Sequence, residues 1–167
     1  MKKIVALIGF IAFSVIVFGQ NIPKVEIKTL DGKIFSTDSL NHLNKPVVLS
    51  FWATWCVPCV KELSAISDNY DDWKDEADFE VIAVSIDDSR STSRVSPFVN
   101  GRGWQFPVFL DPNQNFKRAM NVVNVPHTFL LDKNGKVVWQ HTAYTDGDEE
   151  HLFELIQKLN KGEKIEE

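Results

Sequence analysis

A nearly continuous apolar run, Val47 to Trp52, passes through Ala53-Thr54-Trp55-Cys56-Val57-Pro58-Cys59 into a stretch where Val60, Leu63, Ile66 and Tyr70 recur at spacings of three and four. The run suits a central strand buried on both faces. The recurrence is that of an amphipathic helix, with Lys61, Asp68 and Asp71 elsewhere around it. A buried strand feeding directly into a helix demands packing layers on either side of a sheet, and the rest of the chain supplies them. Val25 to Leu30 alternates as a half-buried strand, Asp31-Gly32 signals a hairpin, and Lys33-Ile34-Phe35 returns. Phe79 to Ile86 is a second buried strand. A helix over Ser91 to Asn100, a short strand over Pro107 to Leu110 and a short helix over Asn115 to Met120 follow.

Thr128 to Leu131 is then a strand, and Lys133-Asn134-Gly135-Lys136 a tight turn into Val137 to His141. Leu152, Leu155, Ile156 and Leu159 form one stripe on a terminal helix, with Asp148 placed to cap it. The order is hairpin, β, α, β, α, β, α, β, β, α. This predicts an α/β protein with a mixed central sheet flanked by helices, parallel through the crossovers and antiparallel at the last hairpin. At 167 residues the chain can form one domain with a full core. A net charge of -5 argues against a non-specific nucleic-acid binder. Twelve Phe and five Trp exclude a disordered chain.

The first residues read differently. Lys2 and Lys3 precede an apolar stretch, Ile4 to Phe18, that is broken only by Gly9 and Ser14. This is the pattern of a secretory signal peptide over residues 1–19, leaving residues 20–167 as the domain. The stretch is shorter than the roughly 20 residues that span a bilayer; an uncleaved N-terminal membrane anchor is the alternative. Export places the protein in the periplasm or otherwise outside the cytoplasm, where disulfides can form.

Only two cysteines are present, Cys56 and Cys59. At a strand-to-helix junction Cys56 sits at or beside the helix N-cap, facing unpaired N–H groups and the positive end of the helix dipole. Both favour thiolate, so its pKa is expected below the free value of about 8.5. Cys59 is the less exposed resolving thiol, able to attack a mixed disulfide on Cys56. Val57 and Pro58 between them help set the reduction potential, and Pro58 fits the first helical turn. A structural disulfide across so short a loop constrains the chain little. A structural zinc site needs four ligands, and His42, His127, His141 and His151 supply no pair at ligand spacing. No cofactor and no resident metal are called for.

Phe51-Trp52-Ala53-Thr54-Trp55-Cys56-Val57-Pro58-Cys59 resembles the active-site segment of the thioredoxin fold, and Val125-Pro126 before Thr128 to Asp132 resembles its cis-proline loop and following strand. The segment between Ile86 and Val123 is longer than thioredoxin needs. An added helix and strand there is similar to the exported TlpA/ResA-like thiol–disulfide oxidoreductases. The likeness runs from about Val25 to Leu159. It implies a cis bond at Pro126, with Val125 touching the disulfide and the loop presenting backbone to an extended substrate. Trp55 forms an apolar collar for a partner, whereas Trp52 belongs to the core. Glu62, three residues after Cys59, matches a glutamate that in this group lines a cavity beside the buried cysteine. There a partly buried carboxyl exchanges a proton with the second thiol; the alternative is an exposed glutamate complementing the helix dipole. Ser50 departs from the buried aspartate of thioredoxins and cannot accept that charge. His127 departs from the threonine often found after the proline, and is either an electrostatic tuner of the thiolate or an ordinary partly buried histidine. The acidic pair Asp87-Asp88 has no assignable chemistry at this level.

The resemblance implies exchange of a Cys56–Cys59 dithiol with protein thiol or disulfide substrates. It leans towards a reductant recharged by a membrane electron donor, as in cytochrome c maturation. A copper(I) carrier using the two thiolates is the alternative from another class, although copper-delivery relatives resemble a wider C-x-x-x-C. A peroxidase template P-x-x-x-T-x-x-C fails, because Leu49 and Ala53 stand where it needs proline and threonine.

Overall fold

The computed structural model describes residues 21–165. The expected signal segment, residues 1–19, therefore lies outside the described residues. Seven strands form one sheet: β1 (Glu26–Thr29), β2 (Ile34–Ser36), β3 (Val47–Trp52), β4 (Glu80–Ser85), β5 (Val108–Leu110), β6 (His127–Leu131) and β7 (Val137–Thr142). Their spatial order is β2-β1-β5-β4-β3-β6-β7. The helices are α1 (Val57–Asp68), α2 (Tyr70–Glu76), α3 (Val95–Arg102), α4 (Asn115–Ala119) and α5 (Asp148–Asn160). This is the thioredoxin-like α/β architecture expected, with the N-terminal hairpin and the inserted α3 and β5 in place.

β3 is buried at every position. Its side chains alternate between two packed layers. Trp52 meets Phe98 and, edge-on at 4.9 Å, Trp104, on the face covered by α1 and α3. Phe51 meets Phe116 of α4 at 5.1 Å on the opposite face. α5 joins the α1 layer through Leu152, Leu155 and Ile156 and through Phe153, which stacks on Trp73 of α2 at 4.5 Å.

Three local expectations need correction. The periodicity from Val60 to Tyr70 reads as one helix, but the chain breaks at Asn69, whose side-chain amide donates to the Ala65 carbonyl at 2.8 Å. That carbonyl is the one a continuing helix would offer to the backbone N–H of residue 69. Asp148 is the first residue of α5 rather than its cap. Gly147 holds the cap position at φ 104°, while Asp148 accepts from Thr145 N at 2.7 Å.

The third correction concerns strand direction. The parallel pairings are β3 with β4 and β4 with β5; β6 pairs antiparallel with β3, as does β1 with β5. The link from β5 to β6, residues 111–126, carries one helix of five residues in place of the longer helix that usually joins parallel strands, and β6 begins at the end where β3 finishes. The antiparallel register pairs Phe51 with His127 and brings the segment before β6 beside the segment after β3.

Candidate active site

The loop leaving β3 closes on itself, with Cys56 N donating to Ala53 O at 3.0 Å. Cys56 is the N-cap of α1, and its Sγ accepts from Cys59 N at 3.3 Å. An orphan backbone donor of the first turn is thus directed at sulfur, an arrangement that favours the thiolate once the pair is reduced. Pro58 stands in the first turn of the helix, where no intrahelical N–H is required. The two sulfurs are joined as a disulfide with the Cα atoms 5.3 Å apart. Cys59 is fully enclosed and Cys56 retains 5% exposure, so the attackable sulfur is Cys56. Around it Trp55 and Val57 are 64% and 69% exposed, large apolar surfaces held in solvent. Trp52, by contrast, is fully buried.

The Val125–Pro126 bond is cis. Val125 packs half-buried against the core, and Pro126 O accepts from Ala143 N at 3.1 Å just beyond β7. Ala143 adopts φ 72° to make that bond.

Glu62 lies one turn after Cys59 on α1 and is 5% exposed, which removes the solvated dipole-complementing role as an option. Its Oε1 accepts from Thr128 Oγ1 at 2.6 Å, and its Oε2 accepts from Ser50 Oγ at 3.4 Å. Ser50 and Thr128 are directly paired across β3 and β6, their hydroxyl oxygens 3.1 Å apart. Burial pushes the Glu62 carboxyl up to about 7, against the opposing pull of the two hydroxyls and with a further upward push from the charges of Asp148 and Glu149. Ser50 therefore departs from thioredoxin's aspartate without emptying the site: the carboxyl reaches the same layer from the helix instead of from the strand. The sequence placed Glu62 near the thiol but held no sign of its two hydroxyl partners.

His127 is buried, stacked on Phe129 at 4.3 Å, with Nε2 3.1 Å from Gln140 Oε1. Burial holds the imidazole below its ordinary pKa. Strand alternation sends His127 to the face opposite Thr128 and Glu62, so the histidine and the carboxyl share no layer.

Asp87, to which the sequence assigned nothing, holds the loop. The residue is 1% exposed. Its carboxylate accepts from Thr54 N at 2.8 Å, Thr54 Oγ1 at 2.6 Å and Ser85 Oγ at 2.8 Å. The only available signal was position: an acid at the carboxyl end of a parallel strand faces the same edge as the β3–α1 junction. Among the described residues no group of three or more His, Cys, Asp and Glu side chains converges to hold a metal ion. No helix among these residues is long and apolar enough to cross a membrane.

Comparison with known proteins agrees with this geometry. The AhpC/TSA family model matches residues 18–140. The chain is 37% identical over 122 residues to thiol-disulfide oxidoreductase ResA of Bacillus thuringiensis (strain Al Hakam), covering 73% of this chain and 68% of that protein. It is 34% identical over 141 residues to a ResA of Bacillus cereus, covering 84% and 78%. The solution structure of a thioredoxin-like protein from Porphyromonas gingivalis superposes with a TM-score of 0.74 at 45% identity, over 84% of this chain and 92% of that one. The chain belongs to the AhpC/TSA family and, with its Cys56–Cys59 pair at the head of α1, is a thioredoxin-fold thiol–disulfide oxidoreductase similar to ResA.

Proposed function

We propose that the protein works outside the cytoplasm as a reductant of protein disulfides, with Cys56 as nucleophile, Cys59 as resolving thiol and Glu62 as the proton carrier between turnovers. The observation that carries this reading is the buried carboxyl one helical turn from the enclosed sulfur. In the reduced protein the Cys56 thiolate attacks one sulfur of a partner disulfide, and the other partner sulfur leaves as a thiol after taking a proton. Cys59 then gives its proton to ionised Glu62 and attacks Cys56 sulfur, releasing the second partner thiol. The protein is left as the Cys56–Cys59 disulfide, and two electrons have passed to the partner. A group titrating near 7 is suited to take and return that proton at neutral pH.

Trp55 and Val57 supply the apolar contact around the sulfur, and the backbone of Val125, ahead of the cis bond, is the part of this loop that would pair with an extended chain. Val57 and Pro58 set the potential. A dithiol donor at the membrane returns the two electrons, and cytochrome c maturation is a pathway with this demand. The signal-like segment over residues 1–19 supports export, by cleavage or as an anchor.

Cys59→Ser tests the order of events. It is expected to accumulate mixed disulfides through Cys56 in cell extract, whereas Cys56→Ser traps none. Equal adduct yields from the two variants would reverse or dissolve the assignment. Equilibration with glutathione buffers tests direction: a reductant has a potential more negative than glutathione, and a more positive value would make the protein an oxidase.

A further inference from the structure

Between Ser89 and Leu110 the chain has three arginines, Arg90, Arg94 and Arg102, and no acidic residue, in a protein whose acids outnumber its bases 23 to 18. This stretch contains the inserted α3, and the fold lays it beside Trp55 and Val57, the residues that flank Cys56. On one side of Cys56 a groove of about 310 Å³ runs between α1 and α3; its apolar wall is Val57, Val60 and Phe98, and its rim carries Lys61 and Arg102. Arg102 is stacked over the Phe98 ring at 5.1 Å. On the other side Trp55 and Ile86 border a second hollow of about 490 Å³ whose charged lining is Asp88, Arg90 and Arg94. Arg90 is paired with Asp88 at 2.8 Å, and Lys61 reaches Asp146 only at 4.0 Å. Arg94 and Arg102 have no carboxylate within ion-pair distance among the described residues.

We propose that the α3 insertion is a docking surface for an acidic segment of the partner protein, which places an apolar side chain in the Val57–Phe98 groove and carboxylates on Arg94 and Arg102 while its cysteine meets Cys56. The proposal rests on exchange with protein partners and names which of them are preferred. Charge complementarity selects the acidic segment, because isolated guanidinium groups beside apolar wall recognise carboxylates. The position of the groove selects a polypeptide. What fills it lies against Val57, the residue after Cys56, where the chain on either side of a partner's cysteine would rest.

The test uses two synthetic peptides, each with one internal disulfide and one leucine, identical except that Asp-Asp flanks one cysteine in the first and Asn-Asn in the second. Single-turnover reduction by the reduced full chain is followed by acid quench and chromatography. The acidic peptide is expected to react about tenfold faster at low salt, the ratio falling towards one in about 0.5 M salt and in the R94Q/R102Q double variant. R94K/R102K is expected to retain part of the preference. Turnover of both peptides at equal rates, or a ratio that survives R94Q/R102Q, overturns the docking surface while leaving the exchange reaction standing. Reduction of neither peptide overturns both readings. Arginine-dependent binding to anionic phospholipid vesicles, or arginine-dependent self-association, without peptide discrimination would assign the surface to a lipid or to a second copy and likewise overturn the proposal.

Discussion

Asp87 and Asp88 are neighbours with opposite physical situations. Asp88 is in solvent, and its pKa is held down to about 2, first by the hydrogen bond from Arg90 and then by Ser91. Asp87 is enclosed, and its carboxylate is the shared acceptor for Thr54 and Ser85. Removing a buried acceptor strands its donors, at about 1–3 kcal/mol for each unsatisfied group. Asp87→Ala is therefore expected to cost about 2–4 kcal/mol in urea unfolding, and to loosen the loop two residues before Cys56. Asp88→Ala, which loses only solvent-accessible hydrogen bonds from Arg90 and Ser91, is expected to move the urea midpoint much less. Equal effects from the two substitutions would mean that Asp87 holds nothing. Nothing local marks the difference, because both residues follow the same apolar strand and only the β3–α1 loop packed over one of them separates their roles.

At the level of elements, the tight turns were legible and the breaks were not. Asp31-Gly32 and Asn134-Gly135 turn where their composition says, with Gly32 at φ 85° and Gly135 at φ 76°. Gly135 carries a second constraint from afar: a Cβ there would lie 2.5 Å from Asn41 Cα. Asn41 in turn exchanges hydrogen bonds with the Ile22 backbone through Oδ1 and Nδ2. Gly135→Ala thus combines a disfavoured backbone with a backbone collision. It is expected to lose about 1–3 kcal/mol, a drop of several degrees in thermal unfolding, and an unchanged midpoint would refute the close approach. The helix break at Asn69 was invisible because apolar spacing continues through it to Tyr70; one side-chain amide competing for the Ala65 carbonyl decides it.

Across the whole molecule, Glu62 ties α1 to both central strands and makes stability depend on pH. Unfolded, its carboxyl titrates near 4.5; folded, burial raises it to about 7. Between those values the folded protein holds a proton that the unfolded chain has lost, so stability falls as pH rises. The contribution is complete below about 4.5 and gone above about 7, and its full span is on the order of 3 kcal/mol. Glu62→Gln stays neutral, and its oxidised form is expected to lose this decline when urea unfolding is compared at several pH values across the window. A decline as steep as that of the parent protein would place the titrating group elsewhere. In the reduced protein the same variant is expected to slow release of the second partner thiol by about 10²-fold, with the rate no longer breaking near pH 7.

The amino-acid sequence alone determined the buried strand, the helix behind it, the cysteine pair at their junction and the hairpins. Each is encoded within a few residues, through side-chain period, turn chemistry and cap position. The family likeness extended that reading to Pro126 and to Glu62. Tertiary structure decided which hydroxyls meet the Glu62 carboxyl, which aspartate clamps the loop, which way β6 runs and where Arg94 and Arg102 stand. Those outcomes join residues far apart in the chain, 66 positions for Thr128 and Glu62 and 33 for Thr54 and Asp87. Such pairings exist only once the sheet order is set, because burial turns separate polar groups into obligatory partners.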